Sequence, residues 1–386
     1  MKRIFVFIAL LASVSAWAES DLSKVSMHSR QNGGFVLVDD LTGEVIGFSD
    51  KGKVHDCPSD MRDIFQELGM DVCATSTVAS EQLESTLVST ATDSVGPLLG
   101  DIAYGQSAPY NNAAPIVSSQ RCVAGCVAVA MAQIMAYHRY PATCYDTVIE
   151  YKTSTLSKTV RADFGAFSPD WDNILPSYES GYTEAQANAV ANLVFYCGAS
   201  VNMDYNVGSS GTQSRLVVGA MYKFFGYDIR IEQIEASDYI DQDWVQALED
   251  ELNAGRPLYM SSTQQEGSGH AYVCDGYYVP KGETEKQDEW YKKNPWFHIN
   301  WGWNGSFNGW FRLNKLTPGD GNPEGFTDLR YNQAVIRNIM PKGETPVDNV
   351  VIDSDENVIY DIMGRRVAEM TPGHIYIQGG KKVLAQ

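Results

Sequence analysis

The strongest hydrophobic pattern in the chain lies between residues 122 and 140. Its apolar side chains recur at spacings of three and four residues, which is typical of a helix with a buried face. The residues that carry this pattern are Val127, Ala128, Met131, Ala132, Ile134, Met135 and Tyr137. Pro141 cannot continue a helix, so the sequence predicts one helix that ends near Tyr140.

The rest of the central region changes from helical to strand patterns along the chain. Three further helices are predicted at 184–196, 213–225 and 243–254. Beyond Pro257, short apolar runs predict strands at 258–261, 271–279, 296–301, 309–313 and 333–339. Helices followed by an antiparallel sheet indicate an α+β fold.

Both ends of the chain have patterns of their own. Residues 34–38 and 44–48 predict a β-hairpin, and residues 60–68 predict a short helix. Residues 74–94 are rich in serine, threonine, alanine and acidic residues, which is the composition of an exposed and easily cleaved linker. Residues 342–386 predict short strands joined by turns.

Charge and the first residues narrow the expected partners and location. The formal net charge of −19 repels phosphate backbones and anionic lipid, so neither nucleic acid nor a membrane surface is an expected partner. The chain begins with Met1-Lys2-Arg3, an apolar run and the site Ala16-Trp17-Ala18. This basic start, short apolar core and small-residue site are typical of a secretory signal peptide. We expect cleavage after Ala18 and, because no later apolar run is long enough, no permanent membrane span.

The chain has seven cysteines, an odd number for a protein that is expected to be exported. At least one thiol is therefore free or paired between molecules, and nucleophilic catalysis is one reason for a free thiol. Cys126 lies at the predicted start of the first helix, where unpaired N–H groups and the helix dipole lower the pKa of a thiol. A buried apolar cysteine is the alternative interpretation, and spacing alone leaves the pairing of the others open.

His270 is the histidine best suited to act with such a thiol, because it follows glycines at the start of an apolar strand. Glycines there allow a substrate backbone to approach closely. His138 lies 12 residues beyond Cys126, about 18 Å along the same helix, so it cannot accept the thiol proton. His298 is the other candidate base, since it could share a strand face with Asn300.

Two further sequence clusters could complete a site for acyl transfer. Asn300 can hydrogen-bond a histidine ring and hold its tautomer, and the adjacent Trp301 could shield that bond from water. Gln106 could donate a hydrogen bond to the oxyanion, together with the backbone N–H of Cys126. The alternatives are an aromatic core strand around Asn300 and an ordinary loop glutamine at Gln106.

Three motifs, in this order along the chain, resemble those of the streptopain-like cysteine proteases, which have a papain-like fold. They are GCVAVAMAQIMAYHRYP at 125–141, GHAYVCDG at 269–276, and FHINWGW at 297–303 followed by GWFRL at 309–313. In that family they carry the nucleophile, the histidine and the asparagine–tryptophan pair, respectively. The resemblance covers roughly residues 97–341 and, more weakly, a pro-region around residues 34–38.

The resemblance implies a role for each candidate residue. These roles are Cys126 as nucleophile, His270 as general base and acid, Asn300 and Trp301 as orienting residues, and Gln106 as oxyanion donor. It also implies an inactive precursor and a broad specificity, with a hydrophobic residue preferred one position upstream of the residue that bears the scissile carbonyl.

The chain departs from the family pattern at two places near these residues. Family members often have a tryptophan shortly before the oxyanion glutamine, where this chain has Ile102-Ala103-Tyr104. Cys122 lies four residues before Cys126, and a disulfide between the two would abolish the nucleophile.

The C-terminal residues resemble a type IX secretion sorting domain, a tail that occurs in the Bacteroidetes. The resemblance rests on residues 359–367, 373–377 and 380–383. It implies that the chain crosses the outer membrane through the type IX secretion machinery, and that it is then released or attached to the surface. A small accessory β-module is the alternative.

The predicted organisation has four parts: a signal peptide at 1–18, a pro-domain at 19–96, a catalytic domain at 97–341 and a sorting domain at 342–386. The expected function is a secreted cysteine endopeptidase that acts on proteins or peptides, requires no cofactor and is inhibited by its own pro-domain. One alternative is an inactive papain-fold binding module. The other is a metalloprotein that uses Cys122, Cys126 and a histidine, although the spacing of the two cysteines has no matching second pair.

Overall fold

The computed structural model describes the central region of the chain and short segments on either side of it. The described residues are 25–29, 34–39, 43, 45–49, 91–264, 267, 269–280, 295–316, 329–343, 359–361, 366–367, 375–378 and 381–384. The predicted signal peptide, the predicted helix at 60–68 and most of the predicted linker lie outside these residues. No helix in the described part has the length and apolar character needed to cross a membrane.

A ten-stranded antiparallel sheet forms the centre of the fold. Its strands are β1 (Val25–Ser29), β2 (Phe35–Asp39), β3 (Val45–Ser49), β4 (Ala91–Val95), β9 (Glu232–Glu235), β10 (Leu258–Thr263), β11 (Gly269–Pro280), β12 (Trp296–Asn300), β13 (Gly309–Phe311) and β14 (Tyr331–Arg337). Their order is β1-β2-β3-β13-β12-β11-β10-β14-β9, and β4 pairs with the C-terminal part of β11. The strands predicted from apolar runs in the central region are confirmed.

Among the described residues, three smaller sheets lie outside this large one. They are the pair β5 (Ile116–Val117) and β6 (Gln120–Arg121), the pair β7 (Val148–Lys152) and β8 (Thr159–Asp163), and four C-terminal strands, β15 (Ile359–Asp361), β16 (Arg366–Val367), β17 (Ile375–Gln378) and β18 (Lys381–Leu384). The C-terminal strands have the order β16-β15-β17-β18, which confirms the prediction of short strands there.

The helices predicted by periodicity are also confirmed. They are α1 (Cys126–His138), α2 (Glu184–Ser200), α3 (Leu216–Lys223) and α4 (Asp241–Asn253). The start of α2 is fixed by a capping box, in which the side chains of Thr183 and Gln186 each satisfy a backbone N–H of the other residue.

Alternating side chains give the sheet a hydrophobic core on each face. Tyr259, Ala271 and Val273 belong to the core that contains α1, whereas Met260 and Tyr272 belong to the core that contains the apolar side of α4. Successive strand residues point to opposite faces, so the apolar runs of β10 and β11 contribute to both cores. These two strands are therefore buried between helices.

Helix α1 lies in the interior and carries almost no solvent-facing residue. Residues 127–135 are all buried, which explains why its apolar positions surround the helix. Gly125 precedes the helix with φ of 89°, and a Cβ at this position would lie 2.7 Å from the sulfur of Met203. Both the backbone conformation and the lack of space therefore require glycine immediately before Cys126.

The predicted N-terminal hairpin is confirmed, and it continues the central sheet. β2 pairs with β3, and β3 pairs with β13 so that Gly47 lies opposite Phe311. Phe35, Leu37 and Ile46 are fully buried in the same core as residues of β12 and β13. The hairpin and the central region thus share one sheet and one core.

The end of the predicted linker forms a strand, so the linker prediction is wrong for residues 91–94. These residues belong to β4, which pairs with residues 277–280 of β11. Their serine- and threonine-rich sequence has little apolar pattern, and the pairing is supplied by a distant strand. Beyond β4, the N–H of Leu98 donates to the backbone carbonyl of Asp275 (2.7 Å), and the N–H of Leu99 donates to its carboxylate (3.0 Å).

Candidate active site

Cys126 is the first residue of α1 and is partly exposed. Burial by the surrounding protein raises the pKa of its thiol, while hydrogen bonds from the backbone N–H groups of Ala271, Val127 and Cys126 itself oppose that increase. The last two groups belong to the first turn of the helix, where N–H groups have no partner within the helix. The sulfur therefore lies among donors that would stabilise a thiolate once water reaches it.

His270 lies on β11, which packs against α1, and the backbone of the next residue, Ala271, opposes the rise in the pKa of the Cys126 thiol. The His270 Nε2 atom lies 2.8 Å from the backbone carbonyl oxygen of Trp301. A carbonyl can only accept, so Nε2 carries the hydrogen and Nδ1 is the acceptor of the neutral ring. Burial lowers the pKa of His270 to about 4, although the bond to Trp301 opposes this effect.

Aromatic rings pack against the His270 imidazole. The ring of Trp303 stacks on it with a centroid distance of 4.7 Å, and the rings of Tyr272 and Trp301 lie at 5.9 and 6.3 Å. The sequence motif Trp301-Gly302-Trp303 contained Trp303, but sequence reasoning assigned it no role. Its position two residues after Trp301 was the available signal, since a turn through Gly302 brings both rings to the same histidine.

The hydrogen bonds of the Asn300 side chain go to two neighbouring loops and not to the His270 ring. Its Nδ2 donates to the carbonyl of Ile102 (2.7 Å), and its Oδ1 accepts from the N–H of Gly302 (3.1 Å). The bond to His270 comes instead from the main-chain carbonyl of Trp301. Asn300 therefore joins the segment before Gln106 to the turn after Trp301, while the backbone fixes the imidazole.

Gln106 lies in a buried loop beside the residues that precede the thiol. It is 5% exposed, and its backbone carbonyl accepts from the N–H of Ala124 at 2.9 Å. Tyr104, in the segment that departs from the family pattern, is fully buried and donates its hydroxyl to the carbonyl of Leu175 (3.1 Å). An aromatic side chain still anchors this loop in the core, although it is not tryptophan.

The other two histidines of the central region have different surroundings. His298 was the second candidate base; its Nδ1 contacts the carboxylate of Asp275, and its ring packs against Trp310. His138 ends α1, at the opposite end from Cys126, and packs against Tyr227. Burial, together with the charge of Arg256, lowers the pKa of His138 to about 4. Both histidines have roles in packing within the structure.

The five cysteines of the described part are all free thiols. Cys122 is fully buried and forms no disulfide with Cys126, so the structure leaves the candidate nucleophile available. Cys57 and Cys73 lie outside the described residues. Within those residues, no group of three or more histidine, cysteine, aspartate or glutamate side chains is arranged to hold a metal ion.

A thiol at the start of a buried helix and a histidine on the antiparallel sheet that packs against this helix are the arrangement of a cysteine peptidase with the papain-like fold. Residues 104–311, more than half of the chain, match the peptidase C10 family. The chain belongs to this family and is a cysteine-type endopeptidase. The predictions of fold class and enzyme class are confirmed.

Individual relatives agree with this assignment. The chain is 30% identical to streptopain of Streptococcus pyogenes over 335 residues, which cover 80% of this chain and 78% of streptopain. It is 29% identical over 326 residues to the thiol protease/hemagglutinin PrtT of Porphyromonas gingivalis, covering 80% of this chain and 36% of that protein.

Two solved structures from Prevotella intermedia are similar in fold. The active wild-type interpain A cysteine protease aligns with a TM-score of 0.55 and 31% identity, covering 64% of this chain and 96% of that one. A prointerpain A fragment with a cysteine-to-alanine substitution aligns with a TM-score of 0.61 and 26% identity, covering 83% of this chain and 96% of that one. The alignment with the pro-form thus extends over more of this chain.

Proposed function

We propose that the chain is a secreted cysteine endopeptidase in which Cys126 is the nucleophile and His270 the general base and acid. In the processed enzyme His270 holds the thiol proton, so the two residues form a thiolate–imidazolium pair. The thiolate sulfur bonds to the substrate carbonyl carbon, and the π electrons of the carbonyl move to its oxygen. As that oxygen re-forms the carbonyl, the C–N bond breaks and His270 gives the proton to the leaving amine. Water then attacks the thioester with His270 as base, and the thiol takes back a proton as the S–C bond breaks.

One proximity carries this proposal: β11 packs against α1, and the backbone of Ala271 opposes the rise in the pKa of the Cys126 thiol. It brings the residue next to His270 up to the thiol although the two segments are far apart in sequence. The bond between His270 Nε2 and the Trp301 carbonyl leaves Nδ1 as the ring atom that can accept the thiol proton. The necessary tautomer is therefore set before substrate binds.

Gln106 and the N–H of Cys126 are proposed to bind the oxyanion. The N–H of Cys126 is at the start of α1 and already directed towards charge that develops at the sulfur. The buried loop of Gln106 packs beside Ala124, two residues before the nucleophile. Asn300 and Trp301 act as positioning residues, Asn300 through its bonds to two loops and Trp301 through its carbonyl.

The segment at 19–96 is proposed to be a pro-domain that is removed from the catalytic domain at 97–341. The greater coverage of the prointerpain A fragment supports a precursor of this kind. Burial raises the pKa of the Cys126 thiol and lowers that of His270, so both groups are neutral at pH 7 in the full chain. Removal of the pro-domain would admit water and favour the thiolate–imidazolium pair.

Export is proposed through a signal peptide at 1–18 and a sorting domain at 342–386, with the type IX secretion machinery as partner. The four-stranded C-terminal sheet is the structural counterpart of the motif that suggested this route. The proposed substrates are proteins or peptides with a hydrophobic residue one position upstream of the residue that bears the scissile carbonyl.

The decisive test is labelling with a thiol-directed epoxysuccinyl inhibitor, followed by mass spectrometry and a peptidase assay. The processed wild-type protein should gain one adduct on Cys126 and lose activity. Cys126→Ala should have neither adduct nor activity. Cys122→Ala is the matched control, because it removes a buried thiol four residues before Cys126 and should leave labelling and activity unchanged.

An inactive papain-fold binding module would give a different result. In that case the processed wild-type protein would fail to hydrolyse peptides even though Cys126 is present and free. Residual peptidase activity in Cys126→Ala would instead show that another residue is the nucleophile, and the assignment of this site would be wrong.

A further inference from the structure

Gln133 is a buried polar residue within the apolar helix α1. Its side chain is 0% exposed, and its Oε1 accepts a hydrogen bond from the backbone N–H of Tyr104 at 3.0 Å. Because a backbone N–H can only donate, this bond fixes which end of the amide faces Tyr104. The Nε2 atom of Gln133 is buried without a hydrogen-bond partner among the described residues.

The placement of Gln133 relates it directly to the thiol. Cys126, Val129 and Gln133 are spaced by three and four residues, so they lie on one face of α1. A Cβ added to Gly302 would lie 3.0 Å from Val129 Cγ1 and 4.0 Å from Gln133 Nε2. The helix face that begins with the nucleophile therefore also supports the turn that follows Trp301.

The loop that contains Gln106 is held from two sides at Tyr104. The N–H of Tyr104 donates to Gln133, and its carbonyl accepts from the N–H of Asn304 at 2.9 Å. Between them, a Cβ at Gly105 would lie 2.5 Å from Asn304 Oδ1. Only two residues after Tyr104, the chain reaches Gln106 with little freedom left to shift.

A purely structural role would not favour glutamine at position 133. Burying an amide whose NH2 group has no partner is unfavourable, and an apolar side chain of similar shape would remove that penalty. What an apolar residue cannot supply is an acceptor for the N–H of Tyr104. The bond to the oxyanion loop is therefore the property that glutamine provides here.

We propose that Gln133 is a positioning residue that sets the distance between the oxyanion donor Gln106 and the sulfur of Cys126. This inference rests on the proposed function, in which these two residues act on the same carbonyl. Through Gln133, the helix that carries the nucleophile also fixes the loop that stabilises the charge formed after attack. A displacement of about 1 Å in such a donor is enough to slow the reaction about 100-fold.

The test compares Gln133→Met and Gln133→Glu in the processed enzyme. Methionine keeps the shape but removes the acceptor, so kcat should fall about 10- to 100-fold with little change in KM. Glutamic acid, kept neutral by burial, retains an acceptor and should restore most of the lost activity. Gln333→Met is the matched control. Gln333 is a buried glutamine on β14, and the substitution removes the hydrogen bond that its side chain donates to the backbone carbonyl of Leu313.

Two inhibitors separate positioning from general damage. A peptide aldehyde forms a tetrahedral adduct whose oxygen occupies the oxyanion site, so its affinity should fall in Gln133→Met by the same factor as kcat. Iodoacetamide alkylates the thiol without forming an oxyanion, so its rate with Cys126 should stay unchanged. Gln333→Met should change neither reaction, even if it unfolds at a lower temperature.

Three results would overturn the inference. They are unchanged kcat in Gln133→Met, equal losses of aldehyde affinity and alkylation rate, and no recovery of activity in Gln133→Glu. Failure of the proposed function is recognised separately, because the processed wild-type protein would then lack peptidase activity or Cys126→Ala would retain it, whatever Gln133→Met does.

Discussion

Replacing Phe35 by alanine tests whether the N-terminal hairpin is packed as part of the central fold. Phe35 is fully buried, and its ring meets that of Phe307 at a centroid distance of 6.3 Å and an angle of 61°. Phenylalanine-to-alanine changes in cores destabilise by about 3–5 kcal/mol, of which the lost aromatic pair accounts for about 0.5–1.5 kcal/mol. We expect a loss of stability near the lower end of this range, because one side of the Phe35 site is a short hairpin that can move into the space left by the ring.

The stability lost in Phe35→Ala should appear first as local opening of the hairpin. β3 is paired with β13 at two positions, Phe48 opposite Trp310 and Gly47 opposite Phe311. A loss of about 3 kcal/mol raises the open population more than about 100-fold, since each 1.36 kcal/mol is a factor of ten. Hydrogen exchange at the amides of β13 should accelerate accordingly. The measurement uses the full-length Cys126→Ala chain, which is expected not to process itself.

Val38→Ala is the control for this measurement. Val38 lies in the same strand as Phe35 but is only partly buried and packs in a separate small cluster with Val36 and Phe48. Its loss should change exchange in β13 much less than the loss of Phe35 does. Equal acceleration by both variants, or acceleration confined to strands β10 and β11, would refute the described packing of the hairpin.

Two further predictions concern the stability of the catalytic region. Arg256 makes two hydrogen bonds of 2.7 and 2.8 Å to the buried carboxylate of Glu251, which also accepts from the N–H of Asn338. Arg256→Met leaves that carboxylate without its cation, so the free energy of unfolding measured in urea titrations should fall by about 3–5 kcal/mol. Adding Glu251→Gln to Arg256→Met should recover part of the lost stability. The pKa of His138 is lowered to about 4, so the unfolded chain binds its proton first as pH falls, and stability should decrease between about pH 6.5 and 4. In His138→Phe, urea titrations at a series of pH values over that range should show that the free energy of unfolding changes less with pH. An unchanged dependence on pH would contradict the assignment of this effect to His138.

The sequence predicted the elements whose patterns are local. Helix α1 and strands β10 to β14 carry strong apolar periodicity, and the structure contains them within a few residues of the predicted bounds. β4 was missed because its residues have no such pattern, and it forms through pairing with β11. The continuity of the hairpin with β13 was missed for the same reason, since that pairing joins segments that are far apart in sequence.

The same distinction explains which site residues could be found. Cys126 and His270 were recognisable because their side chains carry the chemistry and their neighbours in sequence have a characteristic pattern. The group that orients the histidine is the carbonyl of Trp301, and every residue has a carbonyl, so its identity was not recorded in the sequence. Trp303 and Gln133 act through packing and one buried bond, which only the assembled fold reveals.

If the chain is processed as proposed, Asp275 would hold its new N-terminal end. It binds the N–H groups of Leu98 and Leu99 with its carbonyl and its carboxylate, and the side chain also contacts His298. A cut anywhere before Pro97 leaves these contacts intact. A cut close to Pro97 would tether the newly formed α-amino group within a few residues of a buried negative charge, so the mature enzyme would keep its first residues anchored against the sheet.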